Sequence, residues 1–444
     1  MTTFALDATT RRPANSNVVI GGSPLRLFRL TDAGVAVFDD IAAGVDIPPD
    51  PKTDRLLERL VDAGAIHPQP NGGPFTLADV SVVVPALVLG ESSLGEIVRC
   101  CRGVATVIAV DDASDPPVTA VPGSRVLRLR TNAGPAVARN AGLGAVDTPL
   151  IAFVDTDVRL EPGWLERLLP HFADDRVGLV APRVASAPGA GPVAAYEQGH
   201  SPLDLGPLPG RIAPGTRLSY VPAAALLVRT DALRAIGGFD RTLRFGEDVD
   251  AIWRLVEAGW RCRYEPASVV HHRPRGSWRG LVAQRMAYGS SAAPLARRHP
   301  GALAPVRISG WSAATWGLLI AGRPFSALAV AGGTTAALVR KLPGVPASES
   351  LKLAGLGHLF AGRLLADAAR RAWFPGLLVG SLLSKRVRGV AAAAAVPALL
   401  SGGIPKLVDD LAYGTGLWKG VVAEREPGPL RPRFTSWPGR SAEG

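Results

Sequence analysis

In the stretch Ile151-Ala152-Phe153-Val154-Asp155-Thr156-Asp157, four apolar residues run straight into two acidic ones. A short, fully apolar run reads as a strand buried on both faces, as in a parallel sheet covered by helices. The two carboxylates occupy alternate positions, so they leave the strand end on the same side. Unpaired, they repel one another, and a divalent cation is the obvious partner. Mg²⁺ or Mn²⁺ takes oxygen ligands and bridges carboxylate to diphosphate. The plain alternative is a turn with two exposed aspartates, which is less attractive directly after such a strand.

Working outward, residues 80–84, 104–110 and 125–129 are further apolar strands, with helical stretches between them. Repeated β–α units argue for an α/β fold with a mostly parallel, Rossmann-like sheet. Ligands in such sheets sit beyond the carboxyl ends of the strands, so the polar residues that follow each strand matter most. After 104–110 come Asp111-Asp112-Ala113-Ser114, whose carboxylates can accept hydrogen bonds from a pyrimidine ring or a ribose. The same residues are also ordinary turn formers. After 125–129 comes a loop with Asn132, then Gly134-Pro135 opening a helix that carries Arg139 and Asn140. Arg139 offers a planar fork to phosphate, and Asn132 or Asn140 can hold the local backbone; a capped helix with one solvated Arg is the alternative.

Downstream, Val249, Ile252, Trp253 and Val256 form an apolar helical stripe that sets Glu247 and Asp248 at a helix N-terminus. The dipole there favours an ionised carboxylate, the state a general base needs, although ordinary charge complementarity produces the same pattern. His271-His272 closes the strand 268–270, and His271 can complete a metal shell, with a surface pair as the alternative. Gln284-Arg285, on a following helix, is a further candidate for a phosphate.

The 444 residues carry 49 Lys and Arg against 38 Asp and Glu, a net charge of +11, which suits a diphosphate, a nucleic acid or an acidic lipid surface. No nucleic-acid-reading motif accompanies the charge, so no nucleic acid is expected as partner. Cys100, Cys101 and Cys262 are too few, and wrongly spaced, for a disulfide framework or a zinc site. No apolar signal core follows Arg11-Arg12, which predicts a cytosolic start. Residues 15–72 read as a strand–helix–helix–strand module with a proline break at Pro48-Pro49-Asp50-Pro51, and 78–300 as the α/β domain. In the final region, 305–422, the runs 311–322, 325–339, 373–384 and 389–404 are apolar, yet each falls short of the roughly 20 residues of a spanning helix. Basic residues between them favour contact with an acidic cytoplasmic leaflet. The predicted location is therefore the cytoplasmic side of the cell membrane, peripheral or anchored, with a soluble helical subdomain in the cytoplasm as the alternative.

Asp-Asp-Ala-Ser, Asn-x-Gly-x-x-x-Ala-Arg-Asn-x-Gly, Asp-x-Asp and Gly-Glu-Asp with a following Arg, in this order over about residues 80–290, resemble the inverting glycosyltransferase family 2. The resemblance implies a GT-A fold and a metal-dependent transferase. It implies donor contacts from Asp111, Asp112, Asn132, Gly134, Arg139, Asn140, Asp155 and Arg254. It further implies a metal on Asp155, Asp157 and His271, and catalysis by Asp248 with Glu247. The segments 201–207 and 220–225, the latter read as a strand, make the chain look most like the mycofactocin-system members of that family. Their N-terminal module is similar to PqqD-type peptide-recognition domains of winged-helix form. That likeness implies transfer of glucose from UDP-glucose, β-linked and extended as a chain, to a peptide-derived redox cofactor held by the N-terminal module. A membrane-associated transferase for envelope polysaccharide or lipid, and a peptide-binding adaptor with a decayed transferase domain, are the alternatives. A nucleotidyltransferase is disfavoured, because residues 85–93 hold no Lys or Arg. Ala86-Leu87-Val88-Leu89-Gly90 also lacks the family's usual polar residue, and Ala113 replaces a common Gly.

Overall fold

The computed structural model describes residues 3–48, 50–342 and 344–436; Pro49, in the expected proline break, lies outside them. The chain divides into two compact units. One comprises 1–11 and 19–276, the other 12–18 and everything from Ser277 onward.

In the first unit the N-terminal module follows its local signals. Thr31 caps the helix Asp32–Ala42 by accepting from Gly34 N at 3.2 Å. Asp50 caps the helix Pro51–Asp62 by accepting from Lys52 N and Thr53 N at 3.1 and 2.9 Å. Such caps satisfy backbone donors that the first helical turn leaves open. Phe38, Ile41, Leu57 and Leu60 close on Val19 and Ile66 to form a small core. Its hairpin is Val18–Gly21 with Arg26–Arg29. A strand ahead of the expected start, Thr3–Leu6, pairs antiparallel with Ile66–Gln69.

The α/β portion is built on a nine-stranded sheet. Val80–Ala86, Thr106–Asp111, Ser124–Arg128 and Leu150–Val154 are mutually parallel, and Val80–Ala86 lies between Thr106–Asp111 and Leu150–Val154. The chain therefore winds one way from its first strand and then the other, which opens a crevice at the carboxyl ends of Val80–Ala86 and Leu150–Val154. Ala225–Arg229 joins antiparallel on the far side of Leu150–Val154, followed by Val177–Ser186 and then Arg261–His272. The core beneath is apolar, with Val82, Val84, Ala152, Val154, Trp164 and Phe172 buried. Helix Pro135–Leu143 lies close on the sheet because Gly142 has no side chain; a Cβ there would meet Val83 Cγ1 at 2.3 Å.

Residues 220–224, read in sequence as the start of a strand, form a turn, and the strand begins at Ala225. Pro222 has no N–H to give a ladder, so pairing starts only beyond it.

The second unit is helical: Trp278–Ser290, Ala292–Arg298, Gly310–Ile320, Pro324–Lys341, Ala347–Arg371, Phe374–Leu383 and Lys385–Glu424. Arg285 is buried here with its Nε on Asp409 at 2.9 Å, so it braces two helices instead of reaching a phosphate. Among the described residues one helix, Lys385–Glu424, is long and apolar enough to cross a membrane by length and composition. It is broken at Gly403, whose φ of 65° and ψ of −156° interrupt the helical ladder two residues before Pro405.

Candidate active site

Three backbone segments bring the acidic residues together. Asp155 follows the strand Leu150–Val154, and its N–H donates to Ala224 O at 2.9 Å. The adjacent Ala223 N donates to Asp248 Oδ2 at 3.1 Å, while Val249 N donates to Asp248 Oδ1 at 2.8 Å. The turn 220–224 thus holds Asp155 on one side and Asp248 on the other. Asp248 stands in the first turn of the helix Glu247–Glu257, half-buried, with both carboxylate oxygens oriented by backbone donors.

Arg139 is the hub. Its Nη2 donates to Asp155 Oδ1 at 2.8 Å and its Nη1 to Glu247 Oε1 at 2.7 Å, and its side chain is only 4% exposed. The guanidinium also lies 5.6 Å from the Phe239 ring centroid, a favourable cation–π distance. Arg139 therefore faces carboxylates and is enclosed by them, where the sequence suggested a phosphate contact.

One guanidinium does not neutralise this much acid. Burial raises the Asp155 carboxyl above its ordinary range, with help from Asp157 and Asp248, against the pull of Arg139. Burial and the neighbouring Asp248 push Glu247 up to about 7, again against Arg139. The cluster is short of positive charge.

Asp157 sits beside it. Burial works against its charge, but a hydrogen bond from His272 and the nearby Arg275 outweigh it and hold the carboxyl below its usual value. His272 Nε2 is 3.0 Å from Asp157 Oδ2, and Arg275 Nη2 is 3.8 Å away.

The imidazole beside the aspartates is thus that of His272. His271 turns to the opposite face and places its Nε2 2.7 Å from Glu161 Oε1. The cause is register: Arg261–His272 pairs antiparallel with Val158–Leu160, setting His272 across from Val158 and His271 across from Arg159. In a strand one residue's difference exchanges the two faces. Sequence reasoning missed both His272 and Arg275, although Arg275 stands three residues past the histidine pair.

Asp155, Asp157 and His272 are a donor set that suits a hard divalent cation. The two carboxylates are 32% and 37% exposed, which leaves room for further oxygen ligands from outside. Among the described residues no three His, Cys, Asp or Glu side chains are gathered closely enough to hold a metal ion by themselves.

Other expected donor contacts serve the protein itself. Asp111 is fully buried: its Oδ1 accepts from Ser114 N at 2.8 Å, and its Oδ2 from Val118 N at 3.2 Å and from Arg128. Asp112 is buried too, accepting from Ala133 N at 2.7 Å and Gly134 N at 2.8 Å. The two carboxylates shape the loops around the crevice, because an aspartate after a strand readily satisfies nearby backbone donors. Gly134 occupies the N-cap of Pro135–Leu143 with φ of 88°, a conformation that favours glycine. Asn132 is exposed in the loop just before it. Asn140 clamps Phe239 by donating to its carbonyl at 2.7 Å and accepting from its N–H at 2.8 Å. Arg254 is engaged by Asp250 and by the carbonyls of Ile236 and Gly238, so it braces that loop away from the carboxylates. Segment 201–207 is anchored by a two-pronged Arg183–Asp204 pair at 2.8 Å for each bond.

Residues 81–235 match the model of glycosyl transferase family 2. The pre-mycofactocin glycosyltransferase of Mycobacterium tuberculosis is 40% identical over 461 residues, covering 97% of this chain and 97% of that protein. The N-acetylglucosaminyl-diphospho-decaprenol L-rhamnosyltransferase of the same species is 31% identical over 186 residues, 37% of this chain and 60% of that protein. Among solved structures, the mannosyltransferase PcManGT from Pyrobaculum calidifontis is a distant likeness, 16% identical with a TM-score of 0.46 over 80% of this chain and 90% of that one. An acidic crevice at the winding reversal of a mostly parallel sheet is the GT-A arrangement. With that geometry, and with a relative matching along nearly its whole length, the chain belongs to glycosyl transferase family 2.

Proposed function

We propose that the chain is an inverting, metal-dependent hexosyltransferase that moves glucose from UDP-glucose to a peptide-derived redox cofactor of the mycofactocin type. One observation carries the reading: Asp155, Glu247 and Asp248 gather about a single buried guanidinium at the rim of the crevice, with Asp157 beside Asp155. The acceptor is inferred from the relative that matches along 97% of the chain. The N-terminal module would hold that acceptor in the manner of a PqqD-type domain, adding a strand to one of its edges. The working domains are then 15–72 with the strand Thr3–Leu6, the transferase, and the helical region.

A divalent cation held by Asp157, His272 and Asp155 would neutralise charge developing on the departing diphosphate. The chain's own residues do the rest. Asp248, steered by Ala223 N and Val249 N, takes the proton of the acceptor hydroxyl on the face opposite the leaving group. A single displacement of this kind turns an α-linked donor into a β-linked product, and repetition would lengthen the chain. Arg139 and Glu247 position Asp155 and Asp248 relative to one another. Arg275, beside Asp157 and 39% exposed, is the cation best placed to meet a phosphate.

The helical region would lie in the plane of the cytoplasmic leaflet. Phe325, Leu328, Leu382, Leu383, Leu400 and Ile404 are between 71% and 86% exposed, and Arg323, Lys385, Arg386 and Arg388 stand in the same sequence region. Apolar side chains with flanking basic residues suit an acidic lipid surface.

The test is a panel of nucleotide sugars offered with Mn²⁺, with and without chelator, read by mass for released nucleotide and sugar increment. Hydrolysis or transfer of UDP-glucose that stops on chelation supports the reading. Activity indifferent to the chelator, or full activity in Asp248→Asn, refutes it. No donor turnover at all would favour the adaptor alternative.

A further inference from the structure

At the opposite end of the sheet from the carboxylates, the N-terminal module and the α/β portion enclose a cavity of about 330 Å³. The strand Arg261–His272 links the two places: its last residue stands beside Asp157, and its first five line the cavity. Along its register against Val177–Ser186, Arg261 lies nine steps from His272 and Glu265 four, roughly 30 and 13 Å at ~3.3 Å per residue. The cavity is therefore separate from the crevice.

Its lining is basic. Arg26 and His67 come from the N-terminal module, and His171, Arg211, Arg261 and Arg263 from the α/β portion, with Asp62 and Glu265 as acids in the wall. Part of this charge is already matched. Arg261 Nε meets Asp62 at 2.8 Å and its Nη1 meets Asp174 at 2.9 Å, Arg263 meets Asp174 at 2.5 Å, and His171 Nε2 meets Glu265 at 3.0 Å. One donor in the wall remains unmatched: Arg261 Nη2 is buried with no hydrogen-bond partner, as is the second ring nitrogen of His171, Nδ1. Leaving such groups unpaired is costly, and each calls for a partner. The guanidiniums also crowd one another. Burial lowers Arg211 and Arg263 below the ordinary value, with Arg26 beside the first and Arg261 beside the second, despite Asp62 and Asp174.

We infer that this cavity is a binding site for an oxyanion, a carboxylate or phosphate group, clamped between the two parts of the unit. An anion there would draw the guanidiniums of Arg26, Arg211 and Arg261 onto one ligand. Guanidiniums suit this work because their forked donors match the spacing of carboxylate and phosphate oxygens. The site rests on the cavity and its lining, not on the transferase reading, so the two stand or fall separately.

The experiment uses the full chain in EDTA at constant ionic strength and follows the melting temperature. Inorganic phosphate, an acetylated dipeptide with a free C-terminal carboxylate, and the amide of that dipeptide are titrated in turn. A saturable rise with phosphate or with the free acid, absent with the amide, supports the site and identifies the source of the oxyanion. Arg26→Gln, at an exposed side chain, should weaken that response severalfold, and Arg26→Gln combined with Arg211→Gln at least tenfold. The inference is overturned if neither anion stabilises the protein, or if Arg26→Gln and the double variant respond as tightly as the parent.

Discussion

Replacing Arg139 with Gln removes the one buried cation shared by Asp155 and Glu247, which it meets at 2.8 and 2.7 Å. Arg139 and Glu247 are almost fully enclosed, with side chains 4% and 9% exposed, so solvent screens little of the loss. Breaking a buried ion pair by deleting one partner costs about 3–5 kcal/mol, chiefly because the surviving charge stays desolvated. For a unit of this size, ~2–4 °C per kcal/mol translates that into a fall of about 10 °C in melting temperature. The loss should grow with pH. Glu247 already titrates near 7 with Arg139 in place, and without it the carboxyl rises further. A raised acid contributes stability below its unfolded value and surrenders it as pH rises through the folded one. At pH 6 the variant can take up a proton and soften the damage, whereas at pH 8 it must bury the negative charge. Scanning fluorimetry of parent and Arg139→Gln at the two pH values in EDTA measures this directly. A variant within about 1 kcal/mol of the parent at pH 8, or one hurt more at pH 6, would refute the idea that Arg139 holds the carboxylates together.

His272→Ala should abolish the response of activity to Mn²⁺ concentration while His271→Ala keeps it; the reverse order in metal titrations would return the ligand role to His271. Asp111→Asn should lower the stability by about 1.5–3 kcal/mol for the charge-assisted bonds it weakens, seen as a lower melting temperature, and leave the KM for donor nearly unchanged. A large KM change at constant melting temperature would instead make Asp111 a donor contact. Glu247→Gln should flatten the decline in stability of the metal-free protein between pH 5 and pH 8, since native Glu247 still holds its proton where the unfolded chain, with its ordinary value of 4.5, has lost it. An unchanged pH profile in that variant would show that the titration belongs to another group.

Strand ends, caps and breakers were legible because each is a local signal. Leu150–Val154 begins and ends where its apolar run does, and Thr31 stands as an N-cap directly before the helix Asp32–Ala42. The carboxylates of Asp155, Asp157, Glu247 and Asp248 could also be named from their places after a strand and at a helix start. Their partners could not, because partners depend on register and on segments far apart in the chain. The choice between His271 and His272 turns on the pairing of Arg261–His272 with a three-residue strand more than a hundred positions earlier, and both histidines satisfy the same local pattern. Arg139 shows the limit most clearly. An arginine in the first turns of a helix near a crevice reads equally as a phosphate contact or as a solvated side chain, yet it is the buried counter-ion of two carboxylates that follow it by 16 and 108 residues. Asp111, Asp112, Asn140 and Arg254 share this ambiguity, for a polar side chain beside a binding crevice can face the ligand or fasten the loop that surrounds it. Here the four fasten loops, to Ser114 and Val118, to Ala133 and Gly134, to Phe239, and to Ile236 and Gly238. Those loops brace the rim of the crevice and hold a few carboxylates, short of positive charge and open on one side, in a fixed geometry.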